Sequence, residues 1–340
     1  MHTSCEKASL EVCRQAAEYL KKGEILAIPT ETVYGLAADA TNGQAVKKIF
    51  EAKGRPQDNP LISHISSMEM LPMVWRKVTP QAKALAEAFW PGPLTIILPR
   101  SELLADAVCA GLPTAAVRWP SHPVAQQVIA LAGVPLAAPS ANTSGSPSPT
   151  TAESVMQDMA GKIPMVVDGG TCEVGVESTV VSLAGQTPLL LRPGGVTKEE
   201  LERVLGCEVK LSDAVLHQLQ EGEKPASPGM KYRHYAPNAR VLIVQGSSAQ
   251  YCEYVKAHAE EGDCALCFEE DVKALSGIAC IPYGKEGDGV SQAHGLFAAL
   301  RALDEKHVKT AYARCPQQSG ISLAVYNRLL RAAAFQVVQV

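Results

Sequence analysis

The stretch from residue 29 to 60 constrains this chain more than any other. It reads Pro-Thr-Glu-Thr-Val-Tyr-Gly-Leu at 29–36 and Phe-Glu-Ala-Lys-Gly-Arg-Pro-Gln-Asp-Asn-Pro at 50–60. The apolar run Ile25–Ile28 is short and ends at Pro29. It therefore delivers the hydroxyls of Thr30 and Thr32 to the end of a strand, where α/β proteins place ligands. Ala45, Val46, Ile49 and Phe50 then recur at helical spacing. That helix is expected to stop at Lys53-Gly54-Arg55-Pro56, because Gly supplies a left-handed C-terminal position and Pro cannot continue the helix. Lys53 and Arg55 are thereby expected on one irregular loop. There they either complement the helix dipole, a contribution of about 0.3–1 kcal/mol each, or hold an anion.

The same device recurs along the chain: a short apolar run that ends in one polar side chain. Leu61–Ile65 reads as a strand carrying His64, a residue that in such a setting serves structure more often than function. Ala115–Trp119 carries Arg118, which needs an anionic partner or a route to water, and a buried ion pair is the plain explanation. Val134–Ala138 opens into Pro139–Ser148, a loop dense in hydroxyls. Composition alone favours an ordinary surface loop there, whereas its place directly after a strand suits a cradle for phosphate. Val176–Val181 and Leu189–Leu191 give further strands, the second releasing Arg192 into a turn. Helices are expected over Leu10–Leu20, after Thr79-Pro80, over His122–Ala132, and after the Thr197…Glu200 capping box.

With 340 residues the chain suits two domains. Periodicity fades around 208–227, where a linker is expected, yet Ser227–Pro237 is too aromatic and basic for an idle tether. Beyond Val241 strands alternate with helices, as in a small doubly wound sheet. That part holds no Gly-x-Gly-x-x-Gly string, and the whole chain has no Walker A, His-Glu-x-x-His or Gly-x-Ser-x-Gly sequence. Ten cysteines are scattered without regular spacing and are expected as reduced thiols. Cys264 and Cys267 lack the second pair that a zinc site needs. A net charge of −4 argues against wrapping nucleic acid non-specifically but leaves room for a local basic cleft. No apolar run approaches the roughly 20 residues of a membrane span. The first residues lack a basic stretch followed by an apolar one, so a cytoplasmic location without membrane attachment is expected.

Taken in register, the strings at 29–36, Lys-x-Arg at 53–55, Pro-Leu-Ile-Ser-His at 60–64, Pro-Ser-Ala-Asn-x-Ser-Gly at 139–145, Glu-Ser-Thr-Val-Val at 177–181 and Leu-Arg-Pro-Gly at 191–194 resemble the threonylcarbamoyl-AMP synthase family. Ser-Pro-Gly-Met-Lys-Tyr-Arg-His-Tyr-Ala-Pro at 227–237 extends the likeness over nearly the whole chain. The resemblance implies an α/β fold in three parts: a YrdC-like twisted domain with a concave basic cleft (1–207), a linker folding over the site (208–238) and a smaller Rossmann-like domain (239–340). It also implies a nucleotidyltransferase that makes threonylcarbamoyl-adenylate and pyrophosphate from L-threonine, bicarbonate or CO2, and ATP, with Mg2+ accompanying ATP. The product would serve tRNA modification beside the anticodon through a separate transferase, with direct tRNA contact not required.

By the same resemblance, Lys53, Arg55 and Thr32 are the expected catalytic residues. Thr32, His64, Arg118, Ala138 and Ser178 would hold threonine. Arg55, Asn59, Thr114, Ser140, Asn142, Ser148 and Arg192 would hold ATP, with Tyr235 closing over the nucleotide and no residue serving as a metal ligand. Two rivals stay open on the residues themselves. One is an RNA-binding surface around Lys47, Lys48, Lys53 and Arg55; the other is an adenylating or carbamoylating enzyme for a different amino or hydroxy acid, serine included.

Overall fold

The computed structural model describes residues 2–217 and 235–340. Two α/β units appear, each around its own sheet. The first sheet has eleven strands, in spatial order Ser4–Lys7, Met165–Asp168, Leu26–Ile28, Gly35–Asp39, Leu136–Ala137, Ile62–His64, Thr114–Arg118, Leu94–Pro99, Thr179–Ser182, Leu189–Arg192 and Lys210–Leu211. It mixes parallel and antiparallel pairs. Helices cover both faces: Leu10–Lys21 and Pro123–Ala132 pack with Leu26, Ile28 and Ala37 on one. Gly43–Lys53, Pro80–Phe89 and Ala152–Met159 close a larger core with Ala27, Leu36, Ala38 and Ile96 on the other. The caps follow the sequence: Thr79 accepts from Ala82 N above Pro80, and Thr197 with Glu200 forms a reciprocal capping box.

The second sheet has five strands, all parallel, in the order Ala279–Pro282, Cys264–Cys267, Thr310–Arg314, Arg240–Gln245, Val337–Gln339. Helix Ser248–His258 covers one face, while Gly289–Glu305 and Ser322–Ala332 cover the other. None of the ten cysteines is paired, in keeping with reduced thiols. No helix among the described residues is long and apolar enough to cross a membrane.

Several details differ from the sequence-based expectations. Lys53 is the last residue of helix Gly43–Lys53 and is buried, so it does not share the loop with Arg55; Gly54, with φ 60°, takes the left-handed C-cap. Strands Ser4–Lys7, Gly35–Asp39 and Val337–Gln339 and helix Ala152–Met159 have no counterpart in the periodicity. The strand expected at 176–181 begins only at Thr179, which leaves Glu177 and Ser178 outside the ladder, facing the cleft. Of the expected linker, 218–234 lie outside the described residues. Before them Lys210–Leu211 still adds a parallel strand beside Leu189–Leu190.

Candidate active site

Three strand ends converge on one cleft. His64 closes Ile62–His64, Arg118 closes Thr114–Arg118, and Arg192 closes Leu189–Arg192. The first two strands run parallel with His64 opposite Arg118, so both side chains leave the sheet at one edge. Thr30 and Thr32 enter from the turn after Leu26–Ile28, and Lys53, Arg55, Ala138, Ser140, Asn142, Glu177, Ser178 and Tyr235 complete the wall.

Hydrogen-bond accounting defines the side around Thr32. Arg118 Nη1 donates to Thr32 Oγ1 at 2.8 Å, while Arg118 Nη2 meets Glu31 Oε2 at 2.7 Å. Thr30 Oγ1 gives its proton to the Val33 carbonyl at 2.6 Å, so in the 2.9 Å contact between the two threonine hydroxyls Thr32 is the donor. Thr32 Oγ1 then keeps one lone pair for an incoming N–H. Burial pushes the Glu31 carboxyl up, but the Arg118 guanidinium outweighs it and the carboxyl ends below its ordinary value. His64 is buried, its Nδ1 3.2 Å from the Ile62 carbonyl; burial first and Arg118 second hold its pKa down to about 3. It is therefore a neutral imidazole at physiological pH.

On the opposite wall Lys53 Nζ donates to the carbonyls of Ser140 and Asn142 at 2.5 and 2.6 Å. These two bonds fasten the hydroxyl-rich loop and leave one of its three donors for a ligand. Burial, then Arg55, drive the Lys53 pKa well down. Arg55 Nη2 donates to the carbonyls of Asn59 and Pro60 at 3.2 and 3.1 Å. Asn142 Nδ2 holds the loop through Thr143 O and Ser146 O, and its Oδ1 has no hydrogen-bond partner among the described residues. Arg192 donates to the carbonyl and hydroxyl of Ser178 at 3.0 and 3.1 Å, and burial pushes its pKa down to about 10. Tyr235 is buried against Phe297 of the second unit, ring centroids 5.3 Å apart.

Three residues expected on the ATP side do not line the cleft. Asn59 is fully buried behind it, where its carbonyl accepts from Arg55. Ser148 is also buried and gives its hydroxyl proton to Glu177 Oε1 at 2.5 Å. Thr114 opens its strand at the end away from Arg118, paired with Pro99. Two of the four residues of the rival basic surface can be placed directly. Lys53 points inward, and Lys48 is engaged by Glu24 at 3.0 Å.

Sequence reasoning gave no role to Glu31, Glu177 or Arg328. Glu31 is the partner that Arg118 required. Glu177 is held from the second unit by the fully buried Arg328, whose Nε donates to Glu177 Oε2 at 3.0 Å and whose Nη1 donates to Pro193 O. Burial pushes the Glu177 carboxyl up, yet Arg328, then Arg192, bring it below its ordinary value. The only local signal for these carboxylates is their place inside Thr-Glu-Thr and Glu-Ser-Thr. Four cations thus face one cleft whose neighbouring carboxylates are each taken by an arginine, an arrangement able to hold two anionic groups side by side. Among the described residues, no group of three His, Cys, Asp or Glu side chains is placed to hold a metal ion.

Comparison with known proteins places the geometry. A family described as "Telomere recombination" matches residues 18–194, and one described as "Threonylcarbamoyl-AMP synthase, C-terminal domain" matches 196–334. A threonylcarbamoyl-AMP synthase of Pyrococcus abyssi is 45% identical, covering 96% of this chain and 95% of its own length. One from Bacillus subtilis is 46% identical over 96% and 94%. The crystal structure of P. abyssi Sua5 complexed with L-threonine superposes with a TM-score of 0.91 at 41% identity, covering 100% of both chains.

Proposed function

The chain belongs to the threonylcarbamoyl-AMP synthase family, and from that premise we propose that its cleft makes L-threonylcarbamoyl-adenylate and pyrophosphate from L-threonine, bicarbonate or CO2, and ATP. The observation that carries this reading is the convergence of Lys53, Arg55, Arg118 and Arg192 on one cleft. The reaction brings a carbamate and a triphosphate together, and these repel unless cations stand between them.

Threonine binds on the Thr32 side. Arg118 meets its carboxylate, the free lone pair of Thr32 accepts from its amine, and neutral His64, Ala138 and Ser178 enclose its side chain. The amine takes up CO2 and loses a proton, giving a carbamate. One carbamate oxygen then attacks the α-phosphorus of ATP, and pyrophosphate leaves as the acyl–phosphate bond forms. Magnesium arrives with ATP as part of the substrate. Arg55, Ser140, Asn142 and Arg192 hold the nucleotide, with Tyr235 over it; Asn59 and Ser148 act from behind by aiming Arg55 and Glu177. Thr114 has the weakest claim to a direct contact, given its place at the far end of its strand. Lys53 offers its remaining N–H to the carbamate or phosphate. Catalysis rests on positioning and charge neutralisation, without a protein nucleophile.

The product is a reactive mixed anhydride, suited to a second enzyme that transfers the threonylcarbamoyl group to adenosine beside the tRNA anticodon and releases AMP. This half-reaction needs no tRNA contact, and its place is the cytoplasm. The test is pyrophosphate release from Mg–ATP with threonine, bicarbonate or protein omitted in turn. Release that needs all three supports the reading. Release that persists after rigorous removal of CO2 would instead indicate plain aminoacyl adenylation.

A further inference from the structure

We propose that the second domain carries a binding site of its own, for an uncharged nucleoside, in the crevice between the carboxyl ends of Arg240–Gln245 and Thr310–Arg314. These strands are neighbours, yet the chain leaves them toward opposite faces. After Gln245 it enters helix Ser248–His258, whose Tyr251 and Val255 pack with Val244 and Tyr312. After Arg314 it enters helix Ser322–Ala332, whose Val325 and Leu329 pack with Ile243 and Ala313 on the other side. Diverging connections at adjacent parallel strands open a crevice at a topological switch point, where open α/β sheets bind ligands. Here it measures about 430 Å3, within the roughly 300–1,000 Å3 typical of small-molecule sites.

The side chains inside are built for a polar occupant. Arg314 is buried, donating to Gly246 O at 2.5 Å and to Glu286 Oε1 at 3.0 Å. Its Nε lacks a hydrogen-bond acceptor among the described residues, with Asp271 Oδ2 standing off at 3.5 Å. Gln292 is 1% exposed; its Nε2 donates to Lys285 O at 2.7 Å, and its Oε1 has no partner among the described residues. A buried acceptor left without a donor costs about 1–3 kcal/mol, which a ligand N–H or O–H would recover.

Charge then selects the class. Arg314 is already balanced by Asp271 and Glu286, so a phosphate or carboxylate would meet net negative charge. The turn after Gln245 also lacks a glycine-rich phosphate string. What remains favourable is a neutral molecule bearing hydroxyls for the half-exposed Glu286 carboxylate and a ring N–H for Gln292. A nucleoside combines the two, and Gln318 at the rim adds a second amide.

Hydrogen–deuterium exchange of the full chain, read by peptide, separates this crevice from the catalytic cleft. Millimolar adenosine, guanosine, cytidine and uridine are the probes, with inorganic phosphate and L-threonine as charged controls. At least one nucleoside should slow exchange several-fold in the peptides around 246–248, 285–292 and 315–318. In Gln292→Leu, with pyrophosphate release unchanged, that protection should weaken by about tenfold in ligand concentration. No protection by any nucleoside, protection unaffected by Gln292→Leu, or protection only by the charged controls would each overturn the proposal.

Discussion

Lys53 has two tasks that a substitution separates poorly: it anchors the 139–148 loop through two carbonyls and presents charge to the cleft. Arg55 donates to two carbonyls from the rim. Lys53→Ala is expected to lose about 1–3 kcal/mol because the two carbonyls lose their donor, while remaining folded by circular dichroism. Both Lys53→Ala and Arg55→Ala should lower pyrophosphate release by about 100-fold or more, the scale on which a charge-stabilising donor contributes. Wild-type turnover in both would exclude the assigned roles. His64 gives a second outcome at this scale. Its folded pKa of about 3 lies below the ordinary 6.5, so the unfolded chain binds a proton that the folded chain refuses. Its contribution to stability is complete above about 6.5 and declines as pH falls toward 3. NMR should find the His64 ring signals constant between about pH 5 and 8, the range in which an ordinary histidine titrates.

At the scale of elements, the turn after Leu189–Arg192 depends on a glycine for close approach. A Cβ on Gly194 would lie 2.2 Å from Thr179 N and 2.6 Å from Ser178 C. Gly194→Ala must push back the segment that carries Ser178 and that Arg192 grips, at a cost of about 1–3 kcal/mol. Calorimetry should register the lost stability and turnover should fall with it, while Gly185→Ala, where a Cβ meets only Thr187 O at 4.0 Å, should be nearly silent. The elements that show plainly in the sequence are those where an apolar run ends in one polar group: the strands ending in His64, Arg118 and Arg192, and the helices with Thr79 and Thr197 as caps. Gly35–Asp39 escaped because a buried Gly-Leu-Ala-Ala run has no alternation. Ser4–Lys7 escaped because an edge strand of polar residues carries no apolar face. Helix Ala152–Met159 was hidden by the serine- and proline-rich loop running into it. Two of the cleft's cations, Arg118 and Arg192, were legible as isolated charges in apolar strands, and Lys53 and Arg55 as a pair at a helix end. Their carboxylates were not, because Glu177 and Arg328 are 151 residues apart and only tertiary packing joins them.

For the molecule as a whole, Arg328 makes the second unit part of the first unit's site. Around it, Arg301 grips Asp158 at 2.9 Å, Asn327 donates to Val215 O at 2.7 Å and Arg331 donates to Ala214 O at 2.6 Å. Arg328→Met would leave Glu177 buried without its partner, a loss of about 3–5 kcal/mol. Threonine-dependent pyrophosphate release should drop with it, and adding Glu177→Gln should restore part of the melting temperature by removing the stranded charge. No recovery in the double variant would mean that Arg328 acts through packing alone. The sheet order also bears on how the chain is made. Ser4–Lys7 has one neighbour, Met165–Asp168, and Leu94–Pro99 lies between Thr114–Arg118 and Thr179–Ser182. Both strands thus wait for partners made later in the chain, and the apolar Leu94–Pro99 keeps one edge open meanwhile. Synthesis is thereby an interval in which aggregation competes with folding.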